Sequence, residues 1–354
     1  MAGSEKIQSV DLTAQGAALP RGGRYIHSLS LDPEGTRWLF VECAEEQRRP
    51  CEVMRYDLDS SRLYRYALPA GYRYDVATYS PTGNFILVSR QPLTDGSTAA
   101  LRAGAAASEI LVMHADGSGL QVLPLRPGIK LAAFMSRDES QVAYWRANRM
   151  HPENHRIPFS DMEIWEYRCG ARSDERFAPK AIGMFGGGPI QYLSGQEILF
   201  HTYGGSPRFE DANFEKKYAS SEIYRIRRDE VGALVPVVIA GFITTTLPSV
   251  DKSGNLYAWG ALATNRNLGL IRTTPDGSST IWHLSAQPSE MIVSASGDDV
   301  AIVYLDRQEK RGSAETTGLA RFSPSSSVMH PVSIPPLKSA TEIPVVPGAA
   351  WCLQ

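Results

Sequence analysis

The sequence is short of several things, and each shortage closes a class of function. No run of about eighteen apolar residues occurs in its 354 residues, so no segment can cross a bilayer as a helix. Positive charge is not in excess. With 36 Lys and Arg against 38 Asp and Glu the net charge is −2, and the pI is about 6.4. A protein that grips a phosphate backbone needs a basic face, so nucleic acid is a poor partner. The opening residues, MAGSEKIQSVDLTAQGAALP, lack the apolar core of a secretory signal. The expectation is a cytoplasmic protein as written, or a periplasmic one if a signal has been removed. No Gly-x-Ser-x-Gly elbow occurs, which argues against a serine hydrolase. Gly186-Gly187-Gly188 has neither a following helix nor a Walker lysine, and nothing has the spacing of a calcium loop. No cofactor is expected.

Cysteine is also scarce, at four. Cys169 and Cys352 lie far apart and read as isolated thiols. Cys43 and Cys51 flank AEEQRRP at the ends of a strand–loop–strand hairpin. Opposed positions on antiparallel strands can be bridged, which would imply an oxidising compartment. Two reduced thiols on neighbouring strands is the other reading, and the expected one.

Abundant instead are short β-rich runs separated by turn formers. One turn-then-strand element recurs six times: LDPEGTRWLFVEC (31–43), YSPTGNFILVSR (79–90), MSRDESQVAYWRA (135–147), YLSGQEILFHTYG (192–204), VDKSGNLYAWGAL (250–262) and SASGDDVAIVYLD (294–306). A short apolar segment precedes each, and a further strand and turn follow after a variable loop. The period is roughly fifty residues. Each unit reads as four short antiparallel strands, a to d, whose turns rest on Pro, Asp, Ser and Gly. A lone meander cannot bury both faces, but six in a ring can. The chain is therefore expected to be all-β, a six-bladed β-propeller. Its blades fall near 25–68, 74–125, 129–180, 188–241, 245–284 and 289–334, with 1–24 and 335–354 closing or flanking the ring. Ile7 to Leu12 is expected as an outer strand on the last blade, or else Val345 to Leu353 extends toward the first. Helix periodicity is nearly absent outside the Ala-rich STAALRAGAAAS (97–108).

At these residues the chain resembles the TolB-type propellers, or WD40-like PD40 repeats. That repeat runs as a Ser-Pro-Asp-Gly turn, an apolar strand, and a strand closing on Asn-Ala-Asp-Gly-Ser. Ser80-Pro81-Thr82-Gly83 and His114-Ala115-Asp116-Gly117-Ser118 match it closely. Asp251-Lys252-Ser253-Gly254 and Thr274-Pro275-Asp276-Gly277-Ser278 match in part. The namesake carries an α/β domain ahead of its propeller, and about 25 residues precede the first blade here. The resemblance implies a six-bladed propeller with a binding role, without transferring envelope function or contact residues.

Function is expected where the repeat is broken. The b–c loops are long in five units: 44–50, 91–108, 147–160, 204–220 and 307–317. All five emerge on one face, and loops of such length inside a compact repeat are usually functional. Their cations and aromatics suit a protein interface. The candidate contact residues are Arg48, Arg49, Arg149, His151, Glu153, His155, Arg156, Phe159, Arg208, Phe209, Phe214, Lys216, Lys217, Tyr218, Arg307 and Arg311. The leading expectation is a non-enzymatic propeller that binds another protein. His151, Glu153 and His155, with His201 as a fourth ligand, form the one cluster of metal-ligand character. They support the alternative, a metal-assisted carbohydrate lyase or hydrolase on the same face, by analogy with propellers of the oligogalacturonate lyase kind.

Overall fold

The computed structural model describes residues 7–11, 25–43, 51–151, 159–178, 190–201, 223–228, 235–284, 288–306, 316–349 and 351–352. Their strands form six antiparallel sheets. Blade one holds β2 (Tyr25–Leu31), β3 (Arg37–Cys43), β4 (Cys51–Asp57) and β5 (Arg62–Tyr66). Blade two holds β6 (Tyr72–Tyr79), β7 (Phe85–Pro92), β8 (Glu109–His114) and β9 (Gln121–Val122). Blade three holds β10 (Ile129–Met135), β11 (Gln141–Met150), β12 (Phe159–Arg168) and β13 (Ser173–Arg176). Blade four holds β14 (Ile190–Ser194), β15 (Glu197–His201), β16 (Ile223–Arg227) and β17 (Val235–Pro236). Blade five holds β18 (Phe242–Val250), β19 (Leu256–Leu262), β20 (Leu268–Thr273) and β21 (Ser279–His283). Blade six holds β22 (Pro288–Val293), β23 (Val300–Asp306), β24 (Thr316–Ser323) and β25 (Val328–Val332).

The recurring a–b turn works by one local device. Its first side chain accepts a hydrogen bond from the backbone where strand b begins. Ser80 Oγ takes Phe85 N at 3.1 Å, Ser136 Oγ takes Gln141 N at 3.0 Å, and Asp32 Oδ1 takes Arg37 N at 2.9 Å. Gly83 sits in the left-handed region that this turn requires, at φ 74°. Glu139 fills the corresponding place in blade three at φ 56°.

The b strands bury both faces, so their apolar runs are continuous rather than alternating with polar residues. In β7, Ile86 and Val88 pack toward blade one while Leu87 packs toward blade three. One apolar cluster lies in each seam, including that between blades six and one. Side chains near the axis add polar links. Ser28 Oγ accepts from Ala77 N at 2.8 Å, Thr78 Oγ1 donates to Ala133 O at 2.8 Å, and Ser249 Oγ accepts from Val293 N at 3.0 Å.

Among the described residues no strand is shared between the first and last blades. Glu290 of β22 closes that seam by accepting Ser28 N at 2.9 Å and Leu29 N at 2.8 Å. The N-terminal strand takes a route other than the expected one. β1 (Ile7–Asp11) pairs in parallel with β21 on blade five, not with the last blade. The C-terminal segment is a strap. β26 (Thr341–Ile343) adds in parallel to β5 of blade one. Val346 then bonds Gly117 O and Leu120 N of blade two at 3.0 and 2.8 Å. Trp351 packs between blades two and three, and its Nε1 donates to Glu139 O at 2.6 Å. The strap ends in a disulfide from Cys352 to Cys169 of blade three, with Cα atoms 5.2 Å apart. Those two cysteines are therefore not isolated thiols: the ring brings together positions 183 residues apart. Cys43 and Cys51 are joined as well, as directly opposed residues of β3 and β4. Among the described residues no helix is long and apolar enough to cross a membrane.

Candidate functional site

Between blades four and five the described residues leave a cleft of about 690 Å³, lined at its base by Leu193, Leu199, Val237, Val250 and Leu256. Leu199 is buried and the other four are partly so. Val238, from the Val-Pro-Val-Val run that forms and follows β17, stands at the edge and is 59% exposed. Three cations border this apolar floor: Arg137 from the a–b turn of blade three, Arg225 of β16, and Lys252 from the a–b turn of blade five. Glu197 meets Arg225 at 3.5 Å. Arg137 and Lys252 make no ion pair among the described residues. An apolar trough with a cationic border is suited to a ligand that is apolar on one side and negatively charged on the other.

Of the long b–c loops singled out in the sequence, residues 91–108, 147–151, 159–160 and 316–317 are described. Residues 98–106 of the second loop form α1 (Thr98–Ala106), capped by Ser97, whose Oγ accepts from Ala100 N at 3.3 Å. Ala105 of this helix is buried with the cluster between blades three and four, so the loop is a packed element. In the third loop Arg149 is exposed and pairs with Asp161 at 2.8 Å. Phe159 packs against the interior cluster rather than presenting itself outward. His151 closes the described part of that loop and is partly buried. Arg48, Arg49, Glu153, His155, Arg156, Arg208, Phe209, Phe214, Lys216, Lys217, Tyr218, Arg307 and Arg311 lie outside the described residues, as does the glycine run 186–188. His201, the expected fourth metal ligand, is fully buried at the end of β15. Burial lowers its pKa to about 4, so it is a neutral imidazole inside the blade, not a group on the loop surface.

Similarity to known proteins lies in the fold. No family model matches the sequence, and no curated protein sequence matches it. Solved structures do. TolB from Acinetobacter baumannii aligns at TM-score 0.53 and 15% identity, over 87% of this chain and 62% of that one. An oligogalacturonate lyase in complex with manganese aligns at 0.54 and 11%, over 88% and 78%. The tricorn protease aligns at 0.54 and 11%, over 89% and 27%. The fold is that of the TolB-type propellers. This chain thus spans less than two thirds of the TolB chain, and the three neighbours do different work on one scaffold.

The seam cleft was the feature missed in the sequence. One signal for it was present. Leu234 to Val238 reads LVPVV, and a Pro within a run of valines marks an edge strand.

Proposed function

We propose that this TolB-type propeller is a non-enzymatic binding protein, which holds an acidic, amphipathic segment of another protein in the cleft between blades four and five. The observation that carries the reading is the pairing of an aliphatic floor with Arg137, Lys252 and Arg225 around it. Buried apolar contact would supply affinity, and the cations would select partner sign and register. The two disulfides support an oxidising compartment as the place of work. The lyase alternative draws on His151, Glu153, His155 and His201, of which the structure puts the last inside blade four.

The test is fluorescence anisotropy with labelled peptides that alternate Leu or Phe with Asp or Glu, against the same peptides carrying Lys. Saturable binding of the acidic series is expected, weakening with salt and falling more than about tenfold in Lys252→Glu. Equal binding of the basic series, or no effect of Lys252→Glu, would remove the cleft as the binding surface. Depolymerisation of an acidic polysaccharide in the presence of manganese, abolished by His151→Ala, would replace the binding reading with the enzymatic one.

A further inference from the structure

The mouth of the b–c hairpin in blade one holds a group of side chains that the binding cleft does not use. Cys43 ends β3, Cys51 begins β4, and the two face each other in register. His27 of β2 lies beside them, with Nδ1 at 3.8 Å from Cys43 Sγ. The ligand atoms of His27, Cys43 and Cys51 all fall within 4.8 Å of one another. A zinc or copper ion with bonds of about 2.0–2.3 Å to nitrogen and sulfur brings its ligand atoms to about that separation or less. The three residues come from three consecutive strands of one sheet, so their backbones are already fixed before any ion arrives.

We infer that this hairpin mouth is a two-state site: a Cys43–Cys51 disulfide when oxidised, and a soft-metal site of two thiolates and His27 when reduced. The first step is a thiol–disulfide exchange with a dithiol reductant. Two electrons and two protons pass to the Cys43–Cys51 bond, which opens to two thiols, and the reductant leaves as its own disulfide. A d¹⁰ cation, Cu(I) or Zn(II), then displaces the two thiol protons and bonds both sulfurs and the imidazole. Thiolate ligands select such ions over magnesium or calcium.

The surroundings favour this. His27 comes from the innermost strand of the same sheet, so the imidazole and both sulfurs meet at one place on one blade. A hydrogen bond to the Asp75 backbone holds that ring, as outer partners orient ligating histidines. Cys51 is almost wholly buried and Cys43 nearly so, which protects a bound ion from exchange with water.

The experiment uses the full chain carrying Cys169→Ser and Cys352→Ser, so that one thiol pair remains. After reduction with a phosphine and anaerobic desalting, the protein is offered Zn(II), or Cu(I) in competition with a colorimetric chelator. One equivalent of either metal per chain is expected, with thiolate-to-metal charge transfer when Co(II) replaces zinc. His27→Ala should weaken retention more than about tenfold while the thiol count stays the same. The same protein left oxidised keeps the fold but has no thiols, and should bind none. Absence of stoichiometric metal in the reduced protein, or retention unchanged by His27→Ala, would overturn the site.

Discussion

Two neighbouring seams are built from opposite materials. Between blades three and four, aromatic rings interlock across the gap. Trp145 meets Phe200 edge to face at 5.3 Å, Phe200 stacks on Tyr224 at 5.9 Å, and Phe177 meets Tyr192 at 6.3 Å. A charged clamp seals the same seam: Glu166, 1% exposed, accepts both ends of the Arg228 guanidinium at 2.6 Å and the Tyr192 hydroxyl at 2.9 Å. Between blades four and five the described core is aliphatic apart from Phe242, and part of it lines an open cleft. Blade four thus has one face committed to the ring and one left available. A repeat fold needs every seam closed enough to hold the circle, but one loosely filled seam suffices to make a ligand trough.

Four changes test that contrast, the largest first. Trp145→Ala removes the ring at the centre of the aromatic seam and should cost about 4 kcal/mol in urea unfolding, while anisotropy of the acidic peptides stays unchanged. Weakened peptide binding in a still-folded Trp145→Ala protein would mean that the two seams are not separable. The second change is acidification, which acts on the blade-five side. His201 shares a face with Leu199 by strand alternation and is buried neutral. Its pKa is about 4 when folded and about 6.5 when unfolded, so the unfolded chain binds more protons between these values. The stability this group contributes is complete above pH 6.5 and is lost as pH falls toward 4, roughly 3 kcal/mol in all. Urea midpoints from pH 7 to pH 4 should drop by that much more in the wild type than in His201→Asn; parallel curves would contradict it.

Leu199→Ala is the third change. The open cleft lets neighbours relax, which puts the cost at about 2 kcal/mol, the low end for a buried leucine. It should also weaken peptide binding, because it removes part of the floor. Last and smallest in stability is Val238→Asp at the exposed edge. Unfolding should move by no more than about 0.5 kcal/mol, yet the added carboxylate should repel an acidic peptide and lower its affinity. If Leu199→Ala proved as costly as Trp145→Ala, the blade-five seam would be sealed in solution and the comparison would fail.

The strands were legible in the chain because their cause is local. Ser80 and Asp32 reach only five residues to bond the start of the next strand, and any sequence window of that length displays the turn. The runs FILVSR and LYAWGAL are apolar at successive positions because a blade is covered on both faces. Most of the loops expected to form the working face lie outside the described residues; of the calls that fall within them, Phe159, read as a contact residue, packs inward, and His201, read as a ligand, is enclosed. Strand alternation says that a side chain points to one face or the other, but both faces of an interior blade are dry, so the pattern carries no mark of exposure.

What the amino-acid sequence determined by itself is thus the repeat: the number of units, their strands and the turns that join them. Only the assembled ring decided the rest. Closing the circle set blade six against blade one through Glu290, and the strap against blades one, two and three. It brought Cys352 to Cys169 across 183 residues and set a cleft between blades four and five. Those features depend on how six similar units fill the space between them. That is a property of volumes meeting across a seam, where residues distant in the chain compete for the same gap, and no short stretch of sequence contains both sides of it.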